Sequence, residues 1–433
     1  MGNNANNASD SKEWYRLDNA AKIFPAVTNK TRTSVYRITI KLSEAVKIKE
    51  LQEALEQTLI QLPYFRSELK KGFFWYWLEP STSNPRVQLD QGTPCRAFSL
   101  ERRNHLLMRI LAKKNLISAE FMHVLTDGSG GMIFLLSLLN NYAKKCKWSV
   151  DFEKPFPDLS NIPPEDLYED SYKKHFHRNI PGPVKISKAY HLPFKHLKPP
   201  QFSVIYAELS AKQVVDKAKK HQVSLTEYLG AIYLFTIQTI YFNHFDKTSK
   251  HKRSILRVEI PINLRNLFPS STLRNFALFV MPEIDARLGE YTFEEIIRVV
   301  HHYMQLETDK KQIQRIISRN VGSEKNPIIR GIPLAIKIPI LKLVYQSSGP
   351  KLYSGVLTNM GKVVLPKDYS PYIKGFRVTA PPSDPRLKVN SGLISYGEKM
   401  VISFGNQSTS KDFEQEFIRY LNSEGLSVKI LNH

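Results

Sequence analysis

A histidine four residues ahead of an aspartate, with glycine directly after it, is the sharpest chemical signal in this chain: His123-Val124-Leu125-Thr126-Asp127-Gly128. A neutral imidazole can act as a general base, taking a proton from a hydroxyl, amine or thiol as that group attacks a carbonyl. The aspartate need not touch that proton. A carboxylate in a tight turn can instead pair with an arginine and fix the loop. Gly128 would allow a backbone angle or a close approach that a larger residue forbids. The spacing alone is weak, because a chain with 12 histidines meets it by chance. Two rival chemistries in the same run fail on their own patterns. Ser129 lies outside a G-x-S-x-G elbow, so it is not a serine nucleophile. Gly128-Ser129-Gly130-Gly131 lacks the Lys-Ser/Thr of a phosphate-binding loop.

The flanking elements decide whether the histidine can be aimed. Residues 116–122 form an apolar run that reads as a buried strand, and 132–139 read as helix. The histidine therefore stands at a strand end, where a side chain can face a cleft from a rigid support. Residues 35–42 alternate as a strand. Ile48, Leu51, Leu55, Leu59 and Leu62 recur at helical spacing, and Pro63 ends that helix. Residues 73–78 read as an aromatic strand and 106–111 as another. Residues 151–200 hold nine of the 26 prolines and little periodicity, which makes them the linker. Beyond it, Ser210 caps a helix over 211–221, and Ser224-Leu225-Thr226-Glu227 has the spacing of a capping box. Strands follow at 202–209, 255–260 and 276–280, a helix at 292–307, a hairpin around Gly397 and a last helix at 411–423. Strands and helices mix without a regular β-α repeat, so the fold class is α/β (α+β) rather than doubly wound.

A chain of 433 residues exceeds one ordinary core and divides into two lobes of roughly 200 residues each. The expected division is 1–180, carrying the histidine motif, and 181–433. Two cysteines, Cys95 and Cys146, imply no disulfide framework and suit a reducing, cytoplasmic setting. Residues 1–12 are polar with no apolar core of a signal peptide. No Cys/His cluster has metal spacing; His175, His177, His191, His196, His301 and His302 read as surface residues. Residues 332–345 are apolar but interrupted by Pro333, Lys337, Pro339 and Lys342, so they do not span a membrane. They read as a kinked, core-facing helix, with an apolar channel wall or a peripheral membrane contact as the alternatives. The net charge of +22 favours anionic partners. Its cations are scattered and no nucleic-acid motif accompanies them, so a phosphate-bearing substrate fits better than nucleic acid.

Several segments together resemble one family. The HVLTDG run resembles the H-x-x-x-D-G signature of the chloramphenicol-acetyltransferase-like superfamily, which includes plant BAHD acyltransferases, peptide-synthetase condensation domains and alcohol acetyltransferases; the last branch is the nearest. In family order come Tyr15-Arg16-Leu17-Asp18, Ala21-Lys22-Ile23-Phe24-Pro25, Leu62-Pro63-Tyr64-Phe65-Arg66 and Phe73-Phe74-Trp75-Tyr76. The second half adds Pro261-Ile262-Asn263-Leu264-Arg265, Leu273-Arg274-Asn275-Phe276 and Leu357-Thr358-Asn359-Met360-Gly361. The resemblance implies a two-lobed fold with the active-site channel between lobes, and acyl transfer from an acyl-CoA to an alcohol or amine. It makes His123 the base and Asp127 a structural residue paired with Arg265. Thr358 and Asn359 would lie on the cofactor side, donating hydrogen bonds near the oxyanion. No cofactor is bound permanently, acyl-CoA being a co-substrate, and a monomer is expected. A condensation-type enzyme using an acyl carrier protein, or a non-catalytic member, are the alternatives. Two departures stand out. Condensation domains carry two adjacent histidines, whereas Met122 precedes His123, and the D-F-G-W-G stretch of BAHD enzymes is absent.

Overall fold

The computed structural model describes residues 14–431 apart from 101–104, 155, 179, 184, 199, 200, 245–252 and 383. The polar start at residues 1–12 and the two prolines that end the linker lie outside the described residues.

The first sheet is built on Leu116–Met122, flanked by Val35–Leu42 and Met108–Lys113 in antiparallel register. The short Gln88–Leu89 edges it on one side, parallel to Met108–Lys113. The other edge is filled from far along the chain: Ile373–Thr379 runs antiparallel to Val35–Leu42. One face of this sheet is apolar. Ile38, Ile40, Ile117 and Ala119 share a core with the helices Ile48–Gln61 and Gly128–Lys145. The opposite face is polar. Thr39 and Ser118 share a hydrogen bond at 2.9 Å. The wholly buried Glu120 accepts from Arg37 Nε at 2.7 Å and Cys95 N at 2.6 Å. Thr379 on this sheet meets the Tyr206 hydroxyl of the second at 2.7 Å.

The second sheet runs in the order Ala277–Val280, Ile255–Asn263, Gly355–Val363, Val389–Tyr396, Lys399–Asn406, Ser203–Ser210 and Lys429–Leu431. Glu283–Asp285 also pairs with Ile255–Asn263. Gly355–Val363 is parallel to both of its neighbours, so the sheet is mixed. Helices Ala211–Lys220, Leu225–Asn243, Phe293–Glu307 and Asp412–Ser423 bury their apolar stripes on one face. Helix Lys310–Lys325 makes a smaller core with Leu264, Phe268 and Phe276. Each buried Leu or Phe contributes about 1.5–3 kcal/mol relative to exposure.

The two expected caps form: Ser210 accepts from Gln213 N, and Ser224 makes a complete capping box with Glu227. Thr292, read only as the start of a helix, makes another with Glu295. Other expectations need correction. The helix after the histidine begins at Gly128 rather than 132, because Asp127 caps it. The aromatic run does not start a strand at 73. Gly72 N donates to Trp75 O at 2.9 Å, which closes a turn between the strands Ser67–Lys71 and Tyr76–Pro80. These strands and Tyr15–Arg16 make a small third sheet. His191 and His301 are not simple surface residues. His191 bonds Pro350 O at 2.7 Å, and His301 lies 3.3 Å from the buried Glu227. Among the described residues no helix is long and apolar enough to cross a membrane.

Candidate active site

His123 is the first residue past the strand Leu116–Met122, and the backbone on both sides of it is held. Its N–H donates to Ser34 O at 2.9 Å, and its carbonyl accepts from Asn275 Nδ2 at 2.8 Å. Ser34 sits in the left-handed region at φ 52°, a conformation that costs a non-glycine residue about 1–2 kcal/mol. The imidazole lies against two rings. The Phe24 centroid is 5.4 Å away and nearly parallel, and that of Tyr36 is 4.8 Å away. Burial lowers the imidazole pKa below its ordinary 6.5, against the opposing pull of the Asp127 charge. Desolvation thus favours the neutral form that a general base requires.

The turn after the histidine is tied down at successive residues. Tyr64 donates to Leu125 O at 2.7 Å, Thr126 Oγ1 to Leu273 O at 2.5 Å, and Tyr36 to Asp127 O at 2.5 Å. The Asp127 carboxylate accepts from Gly130 N at 3.0 Å, capping its helix, and from Phe276 N at 2.8 Å. Arg265 completes it with Nη1 at 2.8 Å and Nη2 at 3.3 Å. The carboxylate's partners come from its own helix start and from the second half of the chain, none from the His123 ring. Arg265 is itself anchored, donating to Thr272 O at 2.9 Å and Arg274 O at 2.6 Å. The pair is therefore a clamp between the two halves of the chain, with both side chains mostly buried.

The glycines divide by what surrounds them. A Cβ on Gly128 would come within 2.6 Å of the Met360 sulfur, so what Gly128 supplies is space rather than an unusual backbone angle. Gly130, not singled out by the spacing argument, is the tighter position: its Cβ would lie 1.9 Å from Leu273 O. A methionine tip can move, but a backbone carbonyl held by Thr126 cannot. Gly130→Ala is expected to lose about 1–3 kcal/mol or more, although alanine is the better helix former by about 1 kcal/mol. Gly128→Ala should lose clearly less. Urea unfolding of the two variants checks this; equal midpoints would contradict it.

Thr358 and Asn359 lie on the strand Gly355–Val363, two residues and one residue before the methionine that covers Gly128. Asn359 donates to Thr226 Oγ1 at 2.9 Å and accepts from Gly361 N at 2.7 Å. Its hydrogen bonds thus run to the helix Leu225–Asn243 and its own turn. Thr358 lies opposite Gly392 on the next strand. The structure brings His123, Asp127, Gly128 and Arg265 into one cluster, and Thr358 and Asn359 precede Met360, which lies against Gly128.

Asn275 and Asp18 also belong to the cluster, and the sequence reading assigns them no role. Asp18 is wholly buried and accepts from Asn275 Nδ2 at 3.0 Å and from Ala21 N at 2.8 Å. Burial pushes its pKa up to about 6, opposed by Arg274. Asp18 thereby orients the amide that holds the His123 carbonyl. Each lies in a segment quoted only for the family resemblance, and nothing local pairs residues 257 positions apart.

Residues 123–279 match the alcohol acetyltransferase family. No curated protein matches the chain. Among solved structures, polyketide synthase associated protein 5 from Mycobacterium tuberculosis superposes with a TM-score of 0.58 at 14% identity, covering 94% of this chain and 96% of that one. The condensation domain from the Monacolin K polyketide synthase MokA gives 0.57 at 13% identity, over 95% and 96%. F. sporotrichioides TRI101, complexed with coenzyme A and T-2, gives 0.60 at 10% identity, over 97% and 100%. The fold, two lobes of mixed α/β structure, is shared with these solved structures.

Proposed function

We propose that this protein transfers an acyl group from an acyl-CoA thioester to an alcohol or amine, with His123 as general base. The observation that supports this best is the buried imidazole at the strand end, aimed by bonds at its own backbone and by a carboxylate clamp that makes no bond to its ring. His123 takes the proton from the acceptor O–H or N–H as that atom attacks the thioester carbonyl. The tetrahedral intermediate collapses with cleavage of the C–S bond, and the imidazolium returns the proton to the departing thiolate, giving ester or amide and free thiol. Asp127 and Arg265 are positioning residues in this reading. Thr358 and Asn359 remain candidates for the cofactor side, and the basic surface would favour the phosphates of CoA.

A carrier-protein thioester is the second reading for the donor. It is supported by the likeness to a condensation domain and to a polyketide synthase associated protein. Met122 in place of a second histidine weighs toward a freely diffusing CoA donor.

The test is release of free thiol from a panel of acyl-CoAs with mixed alcohols and amines. Acceptor-dependent release supports the first reading; release only from acyl carrier protein supports the second. The pH profile gives a further expected outcome. Because burial lowers the imidazole pKa, the base stays neutral further into acid than a free histidine. The acid limb of kcat/KM should therefore fall below pH 6.5. A limb at or above that value would remove His123 from the role.

A further inference from the structure

The segment 332–345 forms the helix Leu334–Ser348, with Pro339 inside it, and both of its faces are apolar. Leu334, Ile338, Leu341 and Tyr345 turn inward; Leu334 is buried, and the Arg32 guanidinium sits 4.7 Å over the Tyr345 ring. Ile336, Ile340, Leu343 and Val344 recur at helical spacing on the outward face, and Leu343 is 66% exposed. The expected core-facing helix is thus core-facing on only one side. Beside its start lies the aromatic turn. Leu334 N donates to Phe73 O at 2.7 Å and Lys337 Nζ to Phe74 O at 3.1 Å. Phe73 is 70% exposed and Trp75 46%. The turn and the helix therefore form one exposed apolar surface, of a kind that soluble monomers rarely carry without a partner.

The charge around it narrows the partner. Residues 325–367 hold seven lysines and arginines and no acidic residue, although the chain has 40 acids elsewhere. Lys70 and Lys71 adjoin the aromatic turn, Lys70 in contact with Glu68 and Glu79. Large aromatics at a tip, an aliphatic helix face and a lysine fringe are what an anionic membrane surface takes up: rings at the headgroup level, aliphatic chains just below, cations against phosphates. A protein partner would also need directional hydrogen bonding at the rim. Lys337 instead spends its ammonium on the Phe74 and Arg330 carbonyls, bracing the surface rather than offering a contact.

We propose that this surface seats the protein on an anionic phospholipid bilayer, with Phe73, Trp75 and the outward face of the helix in the interfacial zone. The helix packs against Phe24–Val27, the short element whose Phe24 ring lies on His123. A bilayer at this face borders the element that touches the site, so a lipophilic acceptor or a long acyl chain dissolved in the membrane is the substrate class that suits it. That extension rests on the acyl-transfer reading; the binding itself does not.

The test is co-sedimentation of the full chain with phosphatidylcholine vesicles, with and without phosphatidylserine, for wild type and for Ile340→Gln/Leu343→Gln. Both substituted side chains point outward, so folding is preserved, as a thermal melt confirms. Wild type should bind the anionic vesicles, more weakly as salt rises, and the double variant should bind at least about tenfold more weakly. No binding, or equal binding by the variant, overturns the proposal. So does absence of vesicle binding together with self-association, or with capture of an acidic acyl carrier protein, lost in the variant; the face would then be a protein interface. Thiol release with water-soluble substrates should be equal in both proteins. If both release thiol but a bilayer-dissolved alcohol is no poorer a substrate for the variant, the substrate extension fails and the docking surface stands.

Discussion

Replacing His123 with alanine is expected to lower kcat/KM for acyl transfer by about 10²–10⁴-fold, the range that a positioned general base supplies. The loss should fall on kcat rather than KM, because the imidazole meets the acceptor's proton only as the carbonyl is attacked. The fold should survive. His123 is held through its backbone, by Ser34 and Asn275, and those bonds do not depend on the side chain. What alanine gives up is ring contact with Phe24 and Tyr36, of order 1 kcal/mol, and the imidazole's hydrogen bonding with the Asn275 side chain and the Thr126 backbone, about 1 kcal/mol more for each. Thiol release and a thermal melt measured together separate the two effects. A folded variant with full activity would remove the base assignment, and an unfolded one would redirect the question to His123→Gln.

Arg265→Ala is expected to carry the largest stability loss of the residues at the site, about 3–5 kcal/mol. The guanidinium meets both oxygens of a mostly buried carboxylate, and its removal leaves that charge with only two backbone donors. It also strips the carbonyls of Thr272 and Arg274 of their partner. Asp127→Ala should cost a similar amount, and the double variant less than the sum, since each single change strands the other charge. The pair is not there for net stability, because a buried ion pair roughly offsets its own desolvation. It joins the histidine turn to the run 272–276, so surviving Arg265→Ala protein should retain His123 and yet have a lowered kcat. Denaturant midpoints for the cycle decide this. Additive losses, or a loss below about 1 kcal/mol, would mean that the clamp does not hold the turn.

How much of this could be read in advance depends on how local each cause is. Caps are local, so Ser210 and Ser224 announced their helices. The strand before His123 is an apolar run interrupted only at Ser118 and Glu120, and is equally plain. The helix after it was set four residues late, because Gly128, Gly130 and Gly131 are poor helix formers; the Asp127 cap and close packing against Leu273 and Tyr36 outweigh propensity. Phe73-Phe74-Trp75 looked like a strand because aromatic residues favour strands, and the turn closed by Gly72 overrides that. Tyr15–Arg16 is too short to leave a pattern. The strand at Gly355–Val363 carries a segment singled out by the resemblance but not read as a strand, since its partners lie on strands about 30 and 100 residues away. The clamp itself needs Asp127 and Arg265, 138 positions apart, to meet, which only the family resemblance suggested.

The strand Ile373–Thr379 has a consequence for how the molecule is made. Without it, Val35–Leu42 is the bare edge of the first sheet. At about 5–20 residues per second, a ribosome needs tens of seconds to travel from one to the other. Throughout that interval the nascent chain presents an unpaired, largely apolar strand, the kind of edge that recruits other chains. The lobe that carries the histidine cannot close by its own synthesis; its completion waits on the last quarter of the protein.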